Sequence, residues 1–195
     1  VRLGELLVFG PRNGYSPKPV DYVTPVKSLT LSATTSGKFN NQYFKYIDEK
    51  IESDSHLWLE DGDILIQRAN TIEYVGVTAI YWGADQEFIY PDLMMKIRIA
   101  NGLHLDFLHQ AINSKSSRKF LRERASGTSG SMPKINQMTV NSLPLPLPPC
   151  AEQGRIIAKV DRLMSLCDEL EAKLTQSIND REKLMETAVR QVLAA

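Results

Sequence analysis

The stretch Leu143–Val160, LPLPLPPCAEQGRIIAKV, joins two kinds of sequence that obey different rules. Pro144, Pro146, Pro148 and Pro149 fix φ near about −65° and disfavour helix in the residues before them. The chain is held extended as far as Pro149, and a helix can begin only behind it. From Ala151 onward there is no proline, and the sole glycine is Gly154. Glu152 falls in the first helical turn, where a carboxylate meets the positive end of the helix dipole. The junction predicts a rigid shoulder between a globular region, 1–149, and a helical region, 150–195.

Within the helical region apolar residues recur at Ile156, Val160, Leu163, Cys167, Leu170 and Leu174, alternating intervals of four and three. That is a heptad seam. Ile178 follows as a stutter, and the pattern resumes at Met185, Ala188 and Val192, with Arg181 at the seam position between. About 42 helical residues would span about 60 Å. A helix so long, polar on its other faces, calls for a partner helix. The alternative is an amphipathic helix packed on its own domain. Cys and Ala in the seam suit a larger bundle better than an isolated dimer.

The region before Pro149 is rich in Gly, Pro, Thr and aromatics. GDILIQR (Gly62–Arg68), YVGVTAIYW (Tyr74–Trp82) and LMMKIRI (Leu93–Ile99) read as short strands separated by polar or turn sequence. Gly76 marks a bulge or a close approach. Between Leu105 and Ala125 the spacing turns helical, with Leu105, Leu108, Ile112, Phe120 and Leu121 inward. The fold class expected is α+β: an irregular, mostly antiparallel β-rich domain followed by a long C-terminal coiled-coil helix.

Apolar residues make up 43% of the 195-residue chain and charged residues 24%, the balance of a globular protein rather than a disordered one. No apolar run reaches the roughly 18 residues of a membrane span, and the start, VRLGELLVFGPRNG, is not a secretory signal. A first residue other than Met suggests a fragment. Cys150 and Cys167 would lie about 25 Å apart along one helix, so two unpaired thiols and a reducing, cytoplasmic compartment are expected. The net charge is zero, yet Lys115, Arg118, Lys119, Arg122, Arg124 and Lys134 face a single acid, Glu123, between residues 115 and 134. Such a run is either a solvated helix face or a phosphate-contacting patch.

No catalytic constellation emerges. His56, His104 and His109 form no metal set with the cysteines, and C-x-x-C, H-E-x-x-H and G-x-S-x-G are all missing from the sequence. Pro91-Asp92 invites a nuclease reading, but the only later acid-x-Lys, Glu171-Ala172-Lys173, lies inside the heptad helix. No Asn precedes Pro, as an adenine methyltransferase would require. A non-catalytic binding module without metal or cofactor is expected.

PLPLPPCAEQGRIIAKVDRLMSLCDELEAKL (Pro144–Leu174) resembles the junction of DNA-specificity (S) subunits of Type I restriction-modification enzymes, where a Pro-Pro-x-x-Glu-Gln signature leads into a coiled-coil helix. GPRNGYSPKP (Gly10–Pro19), GDILIQRANTIEYVG (Gly62–Gly76) and SGTSGSMPKINQMTVNSLPLPLPP (Ser126–Pro149) resemble that family's target-recognition domain. The resemblance implies a target-recognition domain at 1–149 and a conserved helical spacer at 150–195, one of each where a full subunit carries two. It implies a chain that reads one half of a bipartite site on double-stranded DNA. It also implies docking of adenine methyltransferase (modification) subunits, and of restriction subunits through them. A second specificity half would join by antiparallel helix pairing, with no membrane partner. S-adenosylmethionine, ATP and Mg would belong to the partner subunits. Two other readings stay open: a stand-alone DNA-binding regulator with a coiled-coil dimerisation tail, and a coiled-coil interaction protein that ignores DNA.

Base reading favours Arg on guanine and Asn or Gln on adenine, while phosphates take Lys, Arg, hydroxyls and backbone N–H groups. The candidate loops therefore supply Arg12, Asn13 and Tyr15; Thr35, Ser36, Lys38, Asn40, Asn41 and Gln42; Gln67, Arg68 and Asn70; and Ser129 with Lys134. Arg118 and Arg122 join them from the basic cluster.

Overall fold

The computed structural model describes residues 1–127 and 132–193. The chain divides into two units, Val1–Cys150 and Ala151–Ala195.

The first unit is built on two four-stranded sheets. One has the order β1-β8-β5-β6, from β1 (Leu7–Asn13), β8 (Met94–Ile99), β5 (Ile64–Gln67) and β6 (Thr78–Ile80), all antiparallel. The other has the order β2-β4-β3-β7, from β2 (Pro19–Val20), β4 (Phe44–Ile47), β3 (Val26–Leu29) and β7 (Phe88–Ile89). Only β3 and β7 run parallel there. Leu65 and Met94 of the first sheet and Leu29 and Phe88 of the second share one buried cluster with Leu59, Tyr81 and Tyr90. Phe39 packs edge-on against Tyr81, with ring centroids 4.9 Å apart. Burial of this kind stabilises by about 1.5–3 kcal/mol per large apolar side chain.

The expected strands at 62–68 and 93–99 appear as β5 and β8. The expected strand at 74–82 shrinks to β6, because Gly76 adopts φ +78°, and residues 72–76 form a turn before it. A Cβ on Gly76 would lie 2.7 Å from Leu121 Cδ1, so only glycine lets this turn meet the helix beside it. The single helix expected at 105–125 is two, α1 (Leu105–Asn113) and α2 (Lys115–Glu123). Ser114 breaks them: its ψ is 154°, and its hydroxyl accepts from Ser117 N as the N-cap of α2. A short α3 (Gln137–Asn141) follows.

The proline run is extended with a period of two. Leu143 and Leu145 are buried while Pro144 and Pro146 face solvent, where a missing N–H costs nothing. Leu3 N donates to Leu143 O at 2.8 Å and Leu145 N to Val1 O at 3.0 Å, which ties the run to the start of the unit. It forms a single bridge, Arg2 with Pro144, rather than a strand.

The second unit is a helix, part of α4 (Cys150–Leu193), whose 44 residues span about 66 Å. All residues from 161 to 186 are exposed, among them Leu163 at 49%, Leu170 at 65% and Leu174 at 63%. Both cysteines are free thiols. No helix of the described residues is long and apolar enough to cross a membrane.

Candidate nucleic-acid interface

The end of β1, the ends of β5 and β8, and the loop before β4 are stitched together by hydrogen bonds. Gly14 N donates to Met94 O at 3.2 Å and Tyr15 N to Tyr90 O at 3.0 Å. Ser16 Oγ donates to Asp92 Oδ1, and Asp92 N returns a bond to Ser16 Oγ at 3.0 Å. Asp92 O accepts from Arg68 Nη1 at 3.2 Å, while Arg68 N reaches Leu93 O at 2.8 Å. The 132–135 segment joins through Ile135 N to Arg68 O at 2.9 Å and through bridges of Lys134 with Ala69 and Ser126. Arg12, Tyr15 and Lys134 are exposed around this web, and Arg68 is half-buried.

Gln67 sits at the centre, fully buried. Its Nε2 lies 3.1 Å from each of three acceptors, Leu31 O, Thr34 Oγ1 and Thr35 Oγ1, and its Oε1 accepts from Asn70 Nδ2. One amide therefore fixes the 31–35 segment against the 67–70 turn. Gln67 has no surface to offer a base, which corrects its place among the reading residues: all four residues of β5 are buried. Asn70 is half-buried, with Oδ1 accepting from Thr71 N at 2.7 Å.

Ser36 and Lys38 are exposed, and the Ser36 hydroxyl donates to Lys38 O at 3.2 Å, closing a tight loop. Asn40 is half-buried; its N donates to Ala33 O and its Oδ1 accepts from Gln42 N, both at 2.9 Å. Asn13 is half-buried, its Oδ1 without a partner among the described residues.

The basic cluster is not one solvated face. Arg118 is buried on α2, and its Nη2 donates to Glu73 O at 2.7 Å, the same carbonyl that Arg122 Nη2 reaches at 2.8 Å. Burial, then the charge of Arg122, brings the Arg118 pKa down to about 10, so it stays protonated at neutral pH. Arg118 braces the 72–76 turn rather than facing outward, a second correction. Arg122 is exposed. Ser129 lies outside the described residues.

Residues that sequence reasoning did not select belong to the same surface. Asp92 anchors Arg68 and Ser16, although Pro91-Asp92 reads in sequence as a nuclease motif. Glu49 accepts from the Tyr15 hydroxyl at 3.1 Å and raises the pKa of that phenol through the hydrogen bond. Tyr43 and Tyr74, exposed by 47% and 41%, flank the Thr35–Asn40 loop. Exposed aromatics in polar loops were the available signal. Among the described residues no group of three or more His, Cys, Asp or Glu could hold a metal ion. The arrangement offers cations, hydroxyls, amides and phenols on a loop surface, which is chemistry for binding phosphates and base edges.

Residues 4–180 match the family model described as Type I restriction modification DNA specificity domain. The chain is similar to the EcoKI specificity subunit of Escherichia coli strain K12, at 26% identity over 170 residues, 86% of this chain and 36% of that one. It is similar to the crystal structure of the HsdS subunit from Thermoanaerobacter tengcongensis, at 26% identity and TM-score 0.68, over 96% of this chain and 47% of that one. A chain solved in work on complex assembly and conformational transition of the type I R-M system matches at 26% identity and TM-score 0.65, over 98% and 48%. The chain thus spans about a third of the curated relative and about half of each solved one.

Proposed function

The chain belongs to the family of Type I restriction modification DNA specificity domains, and on that premise we propose that it reads one half of a split DNA site within a restriction-modification complex. In this reading residues 1–149 are the target-recognition domain and 150–195 the helical spacer. The chain itself does no chemistry; it docks adenine methyltransferase subunits, which carry the S-adenosylmethionine, and restriction subunits join through them in the cytoplasm. The apolar residues exposed along α4 support a coiled coil formed by antiparallel pairing with a second specificity half.

One observation supports the DNA reading: hydrogen bonds through Arg68, Asp92 and Gln67 tie segments of four separate candidate loops to one another. Arg12, Lys38 and Lys134 are exposed on those loops, which supports assigning them as phosphate contacts. Three such contacts predict a slope of about −2.7 in log affinity against log salt, so a fourfold rise in salt weakens binding about 40-fold. Titrating the complex with modification subunits against a cognate duplex checks this, and Lys134→Ala is expected to reduce the slope by about 1. Affinity indifferent to salt, or absent for random and cognate duplexes alike, would refute the reading.

A further inference from the structure

Tyr43 and Tyr74 form the walls of a concavity of about 610 Å³ whose other lining residues are Ser32, Thr35, Ser36 and Asn40. Both rings are large, amphipathic and left exposed, an arrangement that suits contact with a flat, polar-edged ligand. The hydroxyls of Tyr43 and Tyr74 and the amide nitrogen of Asn40 have no protein partner among the described residues. Asn40 Oδ1 uses one lone pair on Gln42 N and keeps the other.

That combination has a specific complement. An amide that can donate through Nδ2 and accept through Oδ1 matches adenine, which presents N7 as acceptor and N6 as donor in the major groove. We propose that Asn40 reads one adenine of the half-site through this bidentate contact, with Tyr43 and Tyr74 packing against the neighbouring bases. The assignment rests on the DNA reading above and sharpens it to one residue and one base. The geometry is held from behind. Gln67 ties Thr34 and Thr35 to the 67–70 turn, and Arg118 and Arg122 both grip Glu73 O, next to Tyr74. Gln67 and Arg118 are therefore positioning residues for the concavity.

The test uses the complex with modification subunits and a panel of duplexes, each with one base pair of the half-site exchanged. Wild type is expected to lose about tenfold or more at one A·T pair. Asn40→Ala is expected to bind that exchanged duplex as well as the original while keeping its discrimination at the other positions. Asn40→Asp keeps the oxygen that accepts from Gln42 N, so the loop survives. It loses the donor, and its preference at that position is expected to move from adenine to cytosine. If both variants discriminate like wild type at every position, Asn40 does not read a base and only this assignment falls. If wild type discriminates at none, the DNA reading falls with it.

Discussion

Asp63→Ala is expected to remove about 3–5 kcal/mol of stability, a large part of what holds an ordinary domain folded. Asp63, fully buried immediately before β5, serves three donors. Lys96 Nζ lies 3.3 Å from Oδ2, Arg98 Nε 2.8 Å from Oδ1, and Glu60 N 2.9 Å from Oδ2. Arg98 keeps a second carboxylate, Glu60, at 2.7 Å, and is one-third exposed, so it tolerates the loss. Lys96 does not. Its side chain is 3% exposed, enclosed by the rings of Phe9 and Tyr90, with Trp58 O at 2.6 Å as its other acceptor. Burial already pulls the Lys96 pKa down and Asp63 opposes that pull. Without Asp63 the ammonium is left desolvated and uncompensated. Replacing both partners, as in Asp63→Leu with Lys96→Met, is expected to recover much of the loss, because two apolar groups need no counter-charge. Urea denaturation followed by circular dichroism checks both. A loss below about 1 kcal/mol for the single variant would show that the pair is not a closed electrostatic unit.

Gly14→Ala is expected to disorganise the loops proposed to contact DNA and to cost at least the roughly 1–3 kcal/mol of an overpacked site. The reason is contact with backbone. A Cβ on residue 14 would lie 2.1 Å from Tyr90 O and 2.4 Å from Pro91 O, and neither carbonyl can move without its neighbours. Tyr90 O accepts from Tyr15 N, and Pro91 O accepts from Met94 N at the start of β8. Displacement would pull Tyr15 from Glu49 and Ser16 from Asp92, and Asp92 is what orients Arg68. Weaker binding to the cognate duplex should therefore accompany the lower unfolding midpoint. Wild-type affinity together with wild-type stability would contradict the placement of this loop.

Much of the frame was legible because it depends on local rules. Four prolines followed by a proline-free heptad pattern set the boundary of α4, which begins at Cys150, directly behind Pro149. The apolar runs of β5 and β8 stand out because both strands are largely buried. β2 and β7 have two residues each, too few for any periodicity, and their places depend on partners distant in sequence. β1 carries Gly10 and Pro11 and two register shifts against β8, so it has no alternation to read. In the candidate site, polar loops could be picked out by composition, but the direction of a side chain could not. Gln67 follows three apolar strand residues and looks like a strand end reaching outward, yet it is buried with its neighbours. Arg118 shares a helix face with Leu121, three residues on, and that face turns inward against the Gly76 turn. Tyr43 and Tyr74 stand beside polar loop residues, a signal that composition offers, but their exposure shows only in the structure.

On the proposed reading, this chain chooses where adenine methylation falls. The direct measurement is methylation sequencing of the genome of a host carrying the intact operon, with and without the gene for this chain. Adenine methylation confined to a bipartite motif, and lost when the gene is deleted, is the predicted result. A methylation pattern that shows no bipartite motif, or that is the same in both strains, would contradict it.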